Sequence, residues 1–214
     1  MTTTFFNEMY DAAGAVRSHS QAYADWLAAT PEERIARKRA EADIAFHRVG
    51  ITFAVYGEEA GKERLIPFDI VPRIIPAGEW HELRNGLRQR VKALNAFLHD
   101  IYHGQDILAA GRIPREQVLD NAQFRPEMRG VYVAAGIYAH IAGVDLVRAG
   151  AGEYYVLEDN LRVPSGVSYM IENRKMMMRL FPELFARNKI APVQHYPDLP
   201  LEKLRTVAPH GVED

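Results

Sequence analysis

An α+β fold is what this sequence predicts, and three observations predict it. Several long stretches repeat apolar residues at three- and four-residue steps, the period of an amphipathic helix. Two other regions, residues 51–70 and 143–159, are richer in β-branched and aromatic residues and are broken by glycine-bearing turns. The 214 residues are 48% hydrophobic and 25% charged, the composition of a chain that buries an ordinary core.

Residues 7–29 predict a helix through Met9, Tyr10, Ala13, Val16, Tyr23, Trp26 and Leu27. Thr30 is expected to cap a second helix, with Pro31 at its first position and Glu32 and Glu33 in its first turn. The charge run through Glu41 predicts a solvated face. Ile51 to Tyr56 predicts a strand, Gly57 to Lys62 a polar turn, and Glu63 to Ile70 a returning strand. From Pro76 a long helix is expected, with Leu83, Leu87, Val91, Leu94, Leu98 and Ile101 on its apolar face and Trp80 as a core anchor. Arg84, Arg88, Arg90 and Lys92 mark its polar face. Residues 113–119 predict a short helix opened by proline, and residues 130–148 suit either a buried helix or a strand. Residues 143–148 and 153–159 read as two strands around Ala149-Gly150-Ala151-Gly152. Residues 169–187 predict a last long helix.

Composition excludes some chemistry. A formal net charge of -2 lacks the basic excess of a general nucleic-acid or membrane-surface binder. The chain has no cysteine, so disulfides, thiolate metal sites and cysteine nucleophiles are excluded. The start, MTTTFFNEMYDAAG, lacks the basic and apolar runs of a signal peptide, and no stretch reaches the roughly 20 apolar residues of a membrane span. A cytoplasmic location is the expectation.

The chemistry is concentrated between Asp145 and Arg174. A hairpin there places Asp145 near Glu158, and Asn160 shares the face of Glu158 because strand side chains alternate. Two carboxylates and an amide offer the oxygen ligands that a hard cation such as Mg²⁺ prefers. Arg148, Arg162 and Arg174 supply groups that clamp phosphate oxygens, and Pro164-Ser165-Gly166 forms a turn able to contact an anion. The same residues would also make a surface salt-bridge cluster with turn residues. Other candidates read as structural: His99 and His103 lack an evident third ligand, Met176 to Met178 suit packing, and Ser165 lacks a His-Asp pair.

VLEDNLRVPSGVSYMIENR, residues 156–174, closely resembles the signature of the circularly permuted ATP-grasp proteins, similar to the synthetase half of glutathionylspermidine synthase. Residues 68–108 and GVDLVR, residues 143–148, also look like that family, and the resemblance covers most of residues 50–190. It implies an ATP-grasp fold with long helices and a mixed sheet, ATP and Mg²⁺ as cofactors, and activation of a small carboxylate or peptide as an acyl-phosphate that an amine attacks. Asp145, Glu158 and Asn160 take the family's metal positions. Relatives place an arginine two residues before that aspartate. Here Gly143 stands there, so the role passes to Arg162, taken as the catalytic residue, or to Arg148. Arg148, Arg162, Ser165 and Arg174 are the expected nucleotide contacts. The resemblance implies that the family's ATP-gripping lysines lie well downstream, beyond residue 214. The implied organisation is a helical region over 1–50, the first part of the ATP-grasp domain over 51–190, and a proline-bearing linker over 191–214 into the C-terminal half of the same protein. The alternatives are a scaffold that keeps the fold without turnover, and a metal-dependent hydrolase using the same carboxylates.

Overall fold

A computed structural model describes residues 5–50, 52–54, 63–65 and 68–208. In chain order its elements are α1 (Gln21–Ala28), α2 (Glu32–Val49), β1 (Thr52–Ala54), β2 (Glu63–Leu65), α3 (Ala77–Tyr102), α4 (Asp106–Ala109), α5 (Arg115–Leu119), β3 (Gly143–Gly150), β4 (Glu153–Asn160), α6 (Val167–Leu180), α7 (Pro182–Arg187) and α8 (Asp198–Arg205). They form two compact units: residues 1–76 with 165–195, and residues 77–164 with 196–214. The α+β class holds. Among the described residues the strands pair as two antiparallel hairpins, β1 with β2 and β3 with β4, rather than as the expected mixed sheet.

In the first unit the helix expected over residues 7–29 is confined to α1 and one preceding 3₁₀ turn. Asn7 and Asp11 explain the shortfall. Their carboxamide and carboxylate oxygens accept the backbone N–H groups of Met9, Tyr10, Ala13 and Ala15, which competes with helix formation. Thr30 does not cap α2. Its hydroxyl donates back to the Trp26 carbonyl at 2.6 Å, and Pro31 takes the cap position. Gly50 closes α2 in the left-handed region at φ 69°, donating to the Phe46 and His47 carbonyls. β1 and β2 form the expected hairpin, although its turn, Gly57 to Lys62, lies outside the described residues.

Helices α1, α2 and α6 enclose the core of this unit: Tyr23, Ala42, Ala45, Phe46, Ile70, Met176, Leu180 and Phe181. Phe181 stands edge-on to Trp26 at 4.8 Å between ring centroids. The helix expected over 169–187 is broken after Leu180, because a residue before proline is driven out of the α region, and Phe181 sits at φ −131°, ψ 52°. Met176 is buried and Met177 packs on the core, as expected for a packing role, while Met178 is 41% exposed.

In the second unit α3 runs as a single 26-residue helix, as its periodicity predicts. Trp80 is no core anchor: it is 48% exposed. Residues 130–142 form neither of the expected alternatives, only a 3₁₀ turn at Ala134–Gly136. Asn95 of α3 ties this segment down by accepting the N–H groups of Tyr138 at 2.7 Å and Ala139 at 3.0 Å. α8 occupies part of the stretch expected to be a linker.

Candidate metal and phosphate site on the second hairpin

The hairpin turns at Ala151 and Gly152, with Gly152 at φ 70°. Gly150 pairs with Glu153 and Asp145 with Glu158, as an uninterrupted ladder would pair them, yet the register shifts by one residue between these pairs and then returns. These irregularities decide the faces. Leu157 is skipped in the ladder, so Glu158 turns away from the side occupied by Tyr154 and Val156. Leu146, Arg148 and Tyr154 are half-buried, whereas Asp145, Val147, Tyr155 and Glu158 are exposed.

Asp145, Glu158 and Asn160 therefore come together on the exposed face. The Asn160 amide donates to Asp145 Oδ2 at 3.2 Å and to Glu158 Oε1 at 2.9 Å. A hydrogen bond that the protonated Asp145 carboxyl donates to Glu158, aided by partial desolvation and the charge of Glu158, pushes the Asp145 carboxyl above its usual range. The folded hairpin thus holds that proton more tightly than the unfolded chain. Its stabilising contribution is present at low pH and lost as pH rises through the raised folded value. Among the described residues no group of three or more His, Cys, Asp or Glu side chains gathers. The donor set nonetheless fits a hard cation: two adjacent carboxylates, plus an amide whose oxygen replaces its nitrogen by rotation.

The predicted arginines each have a different partner. Arg148, three residues from Asp145, faces the other side of the hairpin. Its guanidinium pairs with Glu79 of α3 at 2.6 Å with only 6% of the side chain exposed, and it lies over the Tyr154 ring. Arg162 is exposed and donates to Gln123 Oε1 at 3.0 Å. Ser165 and Arg174 belong to the first unit. There Ser165 is exposed just before α6, and Arg174 donates to the Ala191 carbonyl at 2.6 Å. His99 and His103 stack at 4.2 Å and 18°, so their ring lone pairs lie in nearly parallel planes.

Three residues outside the predicted site shape it. Glu79 accepts from Arg148 and from the Tyr154 hydroxyl, the latter at 2.8 Å. Arg90 grips Asp159, and that guanidinium holds the Asp159 carboxyl below its ordinary range. Gln123 receives Arg162 across 39 residues. Arg90 reads from the sequence only as part of the polar face of α3, and Glu79 and Gln123 carry no sequence signal of these partners.

Gly143 explains the missing arginine. A Cβ there would lie 2.9 Å from Pro164 Cβ, so no side chain fits while Pro164 keeps its place. Val163 precedes that proline at φ 49°, a strained conformation for a β-branched residue. Gly143→Ala should therefore cost about 1–3 kcal/mol in urea unfolding, the usual penalty of overpacking. Gly150→Ala meets first the movable end of the Glu153 side chain and should cost less.

Comparisons with known proteins agree with this region's identity. Residues 72–214 match the family described as "A circularly permuted ATPgrasp". The chain is 44% identical over 205 residues to "Uncharacterized protein sll0335" of Synechocystis, covering 96% of this chain and 43% of that protein. It is 45% identical over 204 residues to "Uncharacterized protein Rv2411c" of Mycobacterium tuberculosis, covering 95% and 36%. It is 41% identical over 210 residues to "Putative glutamate--cysteine ligase 2-2" of Frankia casuarinae, covering 96% and 24%. The chain thus spans less than half the length of each of these relatives. No described helix is long and apolar enough to cross a membrane. Because the family match takes in well over half of its residues, the chain belongs to the circularly permuted ATP-grasp family.

Proposed function

We propose that this chain carries the divalent-cation site of an ATP-dependent carboxylate–amine ligase. The observation behind the reading is the side-by-side placement of Asp145 and Glu158, bridged by Asn160, on an exposed face. Two carboxylates set this close are unfavourable unless a proton or a cation lies between them. Family membership supports ATP as the co-substrate, and the relative named as a glutamate–cysteine ligase supports carbon–nitrogen bond formation.

In this reading Asp145, Glu158 and Asn160 hold Mg²⁺, which when bound offsets the charge of the ATP phosphates. The substrate is a small carboxylate or peptide with an amine acceptor. Its carboxylate oxygen bonds to the γ-phosphorus as ADP leaves, and the amine then displaces phosphate to leave an amide. Arg162, exposed and held among the described residues by a side-chain amide at 3.0 Å, is the arginine best able to turn toward a transferring phosphoryl group. Ser165 and Arg174 are assigned to phosphate contact in a longer, cytoplasmic form that includes the C-terminal half. Arg148 is assigned to structure, since Glu79 and Tyr154 already engage it. That engagement also favours a second reading, a scaffold that keeps the fold without turnover.

Calorimetry of Mg·ATP on this chain and on a longer form separates the readings. Binding by the longer form supports the ligase, and binding by neither supports the scaffold. By NMR, Asp145 of the metal-free chain should titrate above the usual carboxylate range, and Mn²⁺-free Mg²⁺ at saturating concentration should move it down. An Asp145 carboxyl indifferent to Mg²⁺ would count against the site.

A further inference from the structure

Asp159 sits between two of the proposed ligands but faces the other side of the hairpin, where α3 holds it. Arg90 Nε lies 2.8 Å from Oδ1 and 3.0 Å from Oδ2, and Nη2 lies 2.5 Å from Oδ2. Only 15% of the Asp159 side chain is exposed. We propose that Arg90 is a positioning residue: by gripping Asp159 from α3 it sets the aim of Glu158 and Asn160 on the opposite face. The inference rests on the cation-site reading given above.

Strand geometry supplies the coupling. Successive side chains point to opposite faces, so fixing Asp159 fixes the directions of both neighbours. This stretch needs an external hold. The ladder skips Leu157 immediately before Glu158, β4 ends at Asn160, and the strained Val163 follows shortly after. The proposed ligands therefore lie between two irregularities, on a strand paired along one edge only among the described residues. A planar guanidinium bound to both carboxylate oxygens restricts rotation as well as distance, which an ammonium cannot do. Outer groups that orient metal ligands in this way affect metal affinity far more than stability. An ordinary exposed ion pair would do the reverse, changing stability slightly and leaving affinity alone.

The test measures Mn²⁺ binding by electron paramagnetic resonance on the wild-type chain, Arg90→Ala, Arg90→Lys and Glu158→Ala, with a thermal melt of each. Arg90→Ala should raise the Mn²⁺ Kd about 10- to 100-fold with a Tm close to wild type. Arg90→Lys keeps the charge and guards against a folding defect, and it should recover only part of the affinity. If both Arg90 variants bind as wild type while Glu158→Ala does not, the positioning role is overturned and the cation site stands. If wild type and Glu158→Ala bind Mn²⁺ equally, the cation site itself fails and the positioning role goes with it.

Discussion

Glu158→Ala is expected to lower Mg·ATP turnover of a longer form by about 10²- to 10³-fold, because it removes a ligand of the cation that would offset the phosphate charge. The fold should survive. Glu158 is exposed, and its recorded partners are the two other members of the trio. Surface changes of this kind usually alter stability by less than about 0.5 kcal/mol. Deleting it also removes the neighbour that pushes up the Asp145 carboxyl, so Asp145 should return toward the ordinary carboxylate range. Phosphate release and a thermal melt read both halves of the result. Unchanged turnover in a folded variant would remove Glu158 from the site.

A second large effect is structural. Phe181→Ala should destabilise the first unit by about 3–5 kcal/mol, the range for a buried phenylalanine truncated to alanine. Its ring is fully buried, meets Trp26 and Tyr23 edge-on, and lies under the Lys38 ammonium at 5.1 Å. The residues around it are held by bonds of their own, such as that from Trp26 Nε1 to Glu183 at 2.8 Å, so collapse into the void is limited. Since whole domains are stable by only about 5–15 kcal/mol, a large part of the margin goes with this one ring. Urea unfolding checks the value, with Met178→Ala, at a site 41% exposed, as the mild comparison. A loss below about 1 kcal/mol would show that the ring is not central to the packing.

The trio on the hairpin was legible because two periods agreed. A glycine turn set the register, and side-chain alternation put Glu158 and Asn160 on one face. The agreement was partly fortunate, since two register shifts cancel between the turn and Asp145. Arg148 lies on the other face of the hairpin from Asp145, because three residues along a strand reverse the face. The long helix was legible from its apolar spacing, while Asn7 and Asp11 undid the first predicted helix through side-chain bonds that apolar periodicity does not register. The clamps from Glu79 and Arg90 were invisible because an ion pair between distant residues leaves no local pattern.

The first unit is assembled from two stretches separated by the whole span of residues 77–164. Its bond from Trp26 to Glu183 bridges 157 positions, so closing it carries a loop entropy that rises with the logarithm of the intervening length. During synthesis, α1 and α2 therefore wait with their apolar faces uncovered until Phe181 has left the ribosome. Over that interval the emerging polypeptide is open to chaperones and to aggregation.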